Sequence, residues 1–449
     1  MGNSGNIATK KLHRSAAIGL TATKVGLRHL GHVGRKKLTG RKISSEKREQ
    51  AQIAHEEEIG RTLFKALNQL KGTALKASQI LSMEADILPE GIRNELAKAC
   101  YKATPLNRAL IDKVFRNEFG KGPGVIFDKF DKEAFAAASL GQVHKAKLKT
   151  GENVAVKVQY PGIAASIKSD VKMLGGLLSV VSASTDFMPA KNVIDTVLDE
   201  ITIQLHREVD YFQEAESLKW FKDKVKMSKI TIPSVFEEYS SERVLTMGEL
   251  SGVHLDEWLK SNPSQDEKNY YGQILFDFFF HSFFELRHVH ADPHPGNYLF
   301  MDEGQMGVLD FGCVREIDKD FTDKISGYYK LLLKHHTGEP DFDGLRAYYE
   351  AFELTKADML DEDYRNILQP ELDRIQKWMI EPYLTDEFDF SERAWPEMST
   401  ADTRKITPYM KEINRDLLYF DRSYRGLVLF LSKLGATINT KNMFIFREH

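Results

Sequence analysis

The 449-residue chain has only two cysteines, Cys100 and Cys313, far apart. Two distant thiols build neither a disulfide framework nor a multi-cysteine zinc site, which suits a reducing compartment. Cys313 is expected as a small buried side chain. An excess of positive charge is also missing: the formal net charge is -3, which speaks against nucleic acid as a bulk partner. No apolar run reaches bilayer length. The strongest, Ile274–Val289, is short and is broken by Asp277, His281, Glu285, Arg287 and His288. It reads as a helix buried under the loop that follows. Internal repeats and low-complexity linkers are absent too.

Acid is missing from residues 1–45, which carry ten Lys or Arg before the first acid, Glu46. They also lack the apolar core of a secretory signal. Three readings stay open: a flexible basic arm, an amphipathic helix on an anionic membrane surface, and an organelle transit peptide. Met1-Gly2-Asn3-Ser4 begins like a myristoylation signal, but Asn6 stands where Ser or Thr is required.

Helical periodicity starts at Ser45 and continues to Leu81, with Ile53, Ile59, Leu63, Leu67 and Leu70 at helical spacings. It includes Lys76-Ala-Ser-Gln79. Gly91–Thr104 and Pro105–Phe119 predict two more helices, and Gly120–Gly124 closes the unit. Phe135–His144 is an alanine-rich loop, followed by a strand at Asn153–Gln159. Lys157 lies inside that strand between apolar residues, and a lysine buried there needs an anionic partner. Val193–Trp220 predicts one long helix carrying Glu208, Asp210 and Glu214. Ile232–Phe236 and Val244–Met247 predict two strands, with Gly248 and Glu249 in the connection that follows.

The densest chemistry is His290-Ala-Asp-Pro-His-Pro-Gly-Asn297, then Asp310-Phe-Gly312. Tyr298–Phe300, a turn at Asp302–Gly304 and Gly307–Leu309 between them predict a hairpin. Asp292, Asn297 and Asp310 then emerge together. Two carboxylates and an amide oxygen suit magnesium, which takes few protein ligands alongside phosphate oxygens. An Asp, an Asn five residues on and a following Asp-Phe-Gly is the layout of the protein-kinase catalytic loop.

With these residues the chain resembles the UbiB (AarF/ADCK) family of atypical protein-kinase-like proteins over roughly residues 60–445. The resemblance rests on Phe135-Ala-Ala-Ala-Ser139 with Gly141-Gln-Val-His144, Val154-Ala-Val-Lys157 through Gly162, Glu208-Val-Asp-Tyr211 with Glu214-Ala215, and the two motifs above. It implies an α+β, protein-kinase-like two-lobed fold. Residues 1–45 would be the arm, 46–124 a helical extension, 125–252 a small β-rich N-lobe and 253–449 a helical C-lobe.

The resemblance implies ATP and magnesium as cofactors. Lys157, held by Glu214, would contact the phosphates, and the backbone of Ala137, Ala138 and Ser139 would cover them. Met247 and Glu249 would lie at the hinge that meets adenine. Asn297 and Asp310 would hold magnesium, and Asp292 would orient a hydroxyl or water. The family's Lys-x-Gly-Gln signature is matched by Lys76 and Gln79, with Ser78 in place of its glycine. Its Glu-x-Asp signature is matched by Glu208 and Asp210, counted with the nucleotide site. This extension would lie across the catalytic cleft, with Lys76 near Glu208, Asp210 or Asp292.

The implied function is an ATPase supporting isoprenoid quinone (ubiquinone) biosynthesis; the alternative is a phosphotransferase acting on a small molecule or lipid. The Arg and Lys common after a protein-kinase catalytic Asp are replaced by Pro293 and His294, which argues against protein substrates. Expected partners are a lipid or quinone precursor, quinone-biosynthesis proteins and an anionic membrane surface through residues 1–45. The expected location is cytoplasmic and peripheral to the inner membrane, or mitochondrial if residues 1–45 are a transit peptide.

Overall fold

The computed structural model describes residues 45–70, 90–97, 108–138, 140–184, 191–292, 294–356, 358–394, 405–411 and 415–441, with positions 73, 76, 77, 80, 81, 88, 396 and 402 besides. The membrane and transit readings of the basic arm lie outside the described residues. The chain divides into two compact units, Met1–Tyr211 with Glu237–Thr246, and Phe212–Phe236 with Met247–His449. These cuts differ from the sequence boundaries at 124/125 and 252/253. The extension and the small sheet share the first unit, while Phe212–Phe236 belongs to the second.

In the first unit, α1 (Ser45–Leu70) and α2 (Glu90–Ala97) meet through Ile59, Leu63, Leu67, Ile92 and Leu96, all buried. Their approach depends on two glycines. A Cβ on Gly60 would lie 2.8 Å from Glu95 Cβ, and one on Gly91 would lie 2.7 Å from Glu56 Cβ. Beyond α3 (Arg108–Phe119), α4 (Ile163–Ser184) and α5 (Lys191–Glu208) extend the same core with Ile167, Leu174, Ile201 and Leu205. A buried polar contact accompanies it: the Thr73 hydroxyl donates to the Asp170 carboxylate and lies 3.2 Å from the Ser166 hydroxyl.

The sheet consists of β1 (Lys129–Phe130), β2 (Ala136–Ala138), β3 (Gly141–Lys147), β4 (Asn153–Gln159) and, after β5 (Ile230–Thr231) of the other unit, β6 (Val244–Gly248). Its order is β1-β3-β4-β6, with β2 also paired to β3. β4 lies between two neighbours, which explains its run of valines: Val154, Val156 and Val158 are fully buried.

On β3, His144 is buried against Phe130, ring centroids 4.8 Å apart. Its Nδ1 donates to the Asp131 carbonyl at 2.9 Å, so Nε2 accepts from the Gln142 amide at 2.7 Å. Burial is the main cause that holds its pKa below the ordinary 6.5. A histidine depressed on folding contributes stability that is complete above the ordinary value and is lost as pH falls through the folded one. The melting temperature is therefore expected to drop as pH is lowered from about 7 towards 5. Melting curves should show a shallower drop in His144→Gln; an unchanged slope would place the pH sensitivity elsewhere.

Among the described residues, the second unit holds nearly all of α6 (Tyr211–Lys224), with α7 (Leu255–Lys260), α8 (Gln265–Phe280) and three small sheets. Ser264 and Glu267 form a reciprocal cap that starts α8. The helix predicted over Ile274–Val289 stops earlier. A single π turn at His281–Glu285 follows α8, and Arg287, at φ 53°, turns the chain into β7 (His288–His290). β8 (Tyr298–Phe300) and β9 (Met306–Val308) form the predicted hairpin, and β5 joins β9 in parallel. β10 (Val314–Glu316) pairs antiparallel with β7. The remainder includes α9 (Lys319–Thr337), α10 (Phe342–Ala351), α11 (Gln369–Ile380) and α12 (Arg415–Leu434), with β11 (Glu387–Asp389) paired to β12 (Thr437–Asn439).

Two other local expectations are corrected. The helix predicted over Val193–Trp220 is two helices, α5 and α6, parted at Val209 and Asp210. The buried Gln159 amide donates to the Val209 carbonyl at 2.7 Å, taking the acceptor that a continuous helix would use. Ile232–Phe236 is not a ladder strand; Val235 makes only an isolated bridge to Met247. No helix among the described residues is long and apolar enough to cross a membrane.

Candidate nucleotide and metal site

The alanine-rich segment becomes a tight hairpin. Ala137 pairs with Gln142 and Ala138 with Gly141, and Leu140 lies in the turn that precedes Gly141. Ser139 lies outside the described residues. The Leu140 carbonyl accepts from Tyr160 N–H at 3.1 Å, which anchors the turn to the end of β4. Gly141 has no room for a side chain: a Cβ there would stand 2.5 Å from the Val158 carbonyl oxygen and 2.8 Å from the Tyr211 hydroxyl. Such a backbone stays close to its neighbours.

Lys157 pairs with Val143 across β3 and β4 and is only 7% exposed. Its Nζ lies 5.1 Å from the centre of the Tyr211 ring, a cation–π contact. In the same unit Lys76 Nζ meets Glu208 Oε1 at 3.1 Å, with the two side chains 13% and 9% exposed. This contact joins the Lys76 motif to the end of α5. Gln79 lies outside the described residues. Asp210 is exposed at the break between α5 and α6.

The second unit carries the catalytic-loop motif. Asn297 Nδ2 donates to the Asp292 carbonyl at 3.0 Å, so its amide oxygen faces the other way. Leu309 N–H donates to the Asn297 carbonyl at 2.9 Å, which continues the β8–β9 ladder and sets Asn297 and Asp310 at the same end of the hairpin. Asp310 Oδ1 accepts from Gly312 N–H at 2.9 Å. His290 Nε2 donates to the Asp310 carbonyl. Phe311 is buried edge-on to the His290 ring, centroids 5.2 Å apart, and against Phe221 of α6 at 4.7 Å.

Glu214, 1% exposed on α6, faces this loop: a Cβ on Gly312 would be 3.6 Å from Glu214 Oε2 and 3.2 Å from Asp310 Oδ1. The donor set of Asp310 and Asn297 therefore fits a hard cation, with an outward amide oxygen, a loop carboxylate and another carboxylate nearby. Tyr298 starts β8, and burial, followed by the charge of Asp292, pushes its phenol well above the ordinary range, so it stays protonated. Met247 is buried at the end of β6, and Glu249 is half-buried just after it.

Two supports of the loop were not read from sequence. Arg422 of α12 donates to the Ala291 carbonyl at 2.6 Å, beside Asp292, and lies 3.6 Å from Cys313 Sγ. Arg315, just beyond the Asp-Phe-Gly, donates through Nε and Nη2 to Asp416 Oδ1 at 3.1 and 2.7 Å. The only sequence signal is charge on a helix otherwise rich in Leu and Phe. A separate trio, His335, His336 and Asp373, has its ligand atoms within 4.8 Å of one another. His335 Nδ1 accepts from Asp341 N–H, so in the neutral ring Nε2 carries the proton and is no ligand.

A family model described as the ABC1 atypical kinase-like domain matches residues 98–339. Among curated proteins, the chain is similar to the mitochondrial atypical kinase COQ8 of Saccharomyces cerevisiae, 28% identical over 392 residues, covering 84% of this chain and 74% of that one. It is similar also to the mitochondrial atypical kinase COQ8B of Rattus norvegicus, 32% identical over 339 residues, covering 75% of this chain and 62% of the relative. Among solved structures, a Mycobacterium tuberculosis protein in complex with erythromycin superposes with a TM-score of 0.58 at 23% identity, covering 88% of this chain and 97% of that one. This likeness establishes the fold as α+β and protein-kinase-like, with small sheets and a helical C-terminal region.

Proposed function

The chain belongs to the ABC1, or UbiB (AarF/ADCK), family of atypical kinase-like proteins, and from that premise we propose that it binds magnesium–ATP and transfers the terminal phosphoryl group to a small-molecule or lipid hydroxyl. The observation that carries this reading is the joint anchoring of the catalytic loop: Asn297 tied to the Asp292 backbone, and Asp310 placed beside Asn297 by the hairpin ladder. Bound magnesium would neutralise charge on the phosphates. Asn297 and Asp310 are the residues to hold it. Asp292 is the residue to orient the attacking hydroxyl and accept its proton. By the family resemblance, Lys157 would offer its positive charge to the phosphates, and the backbone of Ala137 and Ala138 would cover them.

A second reading, ATP hydrolysis in support of isoprenoid quinone biosynthesis, is favoured by the Lys76–Glu208 contact. It ties the extension to the kinase-like helices, as expected of a segment that keeps protein substrates out. The mitochondrial names of the two curated relatives favour an organellar location over a cytoplasmic one, with residues 1–45 as the transit peptide. The test uses γ-labelled ATP, magnesium and a total lipid extract with the full chain. Label in an organic-soluble product supports the first reading, and label only as free phosphate supports the second. Strong labelling of a generic protein substrate overturns both.

A further inference from the structure

Behind the catalytic loop, α8 with its π turn, β7, β8 and α12 enclose a cavity of about 20 Å³. Most of its wall is apolar, with Leu275, Phe278 and Leu427 among the lining residues. A wholly apolar cavity of this size would stay dry. Three polar atoms alter that: Ser282 Oγ, His290 Nδ1 and Ser423 Oγ. Their residues all line the cavity and are 1%, 5% and 1% exposed. None of these atoms finds a hydrogen-bond partner among the described residues.

A buried polar atom left unpaired is costly, and three around one small space call for a common partner. The volume admits one water molecule, and such waters typically make about three hydrogen bonds. The tautomer of His290 adds a direction. Its Nε2–H is committed to the Asp310 carbonyl, so in the neutral ring Nδ1 is a bare acceptor and needs a donor.

We propose that one structural water occupies this cavity, donates to His290 Nδ1 and bonds to the Ser282 and Ser423 hydroxyls. Ser282 follows α8 and Ser423 lies on α12, so the water joins both helices to β7. Through the imidazole, that link reaches the backbone of Asp310. Ser282 and Ser423 are thus positioning residues for the metal-holding carboxylate. This last step rests on the role proposed for Asp310; the water site itself does not.

Two measurements test the proposal on the full chain. High-resolution diffraction of the ligand-free wild type should show a density peak about 3 Å from all three atoms. It should vanish in Ser423→Val, whose extra methyl group fills the space. The second measurement is the magnesium midpoint for stabilisation by ATP, read as a thermal shift against each variant's own ligand-free melting temperature. It should rise about five- to tenfold in Ser423→Val and in Ser282→Ala/Ser423→Ala, the order expected for loss of one buried hydrogen bond. An empty cavity in the wild type overturns the water site. Midpoints within about twofold of wild type, with the peak lost, overturn the positioning role. A wild type that shows the peak but no magnesium–ATP shift overturns the functional reading and leaves the water site standing.

Discussion

Asp310→Asn is expected to abolish stabilisation by magnesium–ATP while leaving the ligand-free protein folded. The amide oxygen still accepts the Gly312 N–H that shapes the loop, and the backbone carbonyl still accepts from His290. The charge that would hold the metal is lost. Removing even a supporting partner of a metal ligand costs about 10–100-fold in affinity, so loss of the ligand's own charge is expected at or above that upper figure. Asp310 and Glu214 carboxylate oxygens lie 3.2 and 3.6 Å from the same point, the position of a Gly312 Cβ. The substitution lowers the negative charge at that point and keeps the loop's backbone contacts, so the ligand-free variant is expected to fold. A thermal-shift titration with and without magnesium checks both statements. Wild-type stabilisation of the variant by magnesium–ATP would reject the assignment.

Lys76→Ala is expected to have the largest effect on stability. It removes the Lys76 cation from the Glu208 carboxylate, whose side chain is 9% exposed, and breaking a buried pair from one side costs about 3–5 kcal/mol. Domains of this kind are stable by only about 5–15 kcal/mol in total, so the loss should appear as a clear drop in denaturant midpoint. Adding Glu208→Gln removes the carboxylate charge and should recover much of the loss. A double variant no more stable than Lys76→Ala would show that the two side chains do not depend on each other. Nucleotide turnover measured on the double variant then separates a role at the site from a role in folding.

The elements read most directly from sequence are those whose residues act locally. β4 runs over Asn153–Gln159, as its alternating valines predict, and the β8–β9 hairpin follows from two short apolar runs about a turn. Where distant side chains intervene, sequence periodicity misleads. The helical pattern through Val209 is sound, but Gln159, fifty positions earlier, captures the carbonyl that would continue it. The phenylalanine run after Gln265 predicts a longer helix because nothing in its composition announces that Arg287 will adopt a left-handed conformation. The acids show the same limit. Glu208, Asp210 and Glu214 are close in sequence, yet the first meets Lys76, the second is exposed and the third faces Gly312.

The contact from Arg422 to the Ala291 carbonyl spans 131 positions. On a growing chain, made at about 5–20 residues per second, the catalytic loop therefore waits on the order of ten seconds for the side chain that closes it. The aromatic face of the preceding helix and its π turn waits as long, because Phe279 and Phe283 meet Phe420, and Phe280 meets Tyr424. Through that interval a dense set of phenylalanines has no cover from α12. A chain released before residue 415 would keep the motif residues but lack the Arg422 support of the loop and the aromatic contacts from α12. The segment from His290 to Asn297 is thus among the last described parts of the second unit to gain its side-chain support.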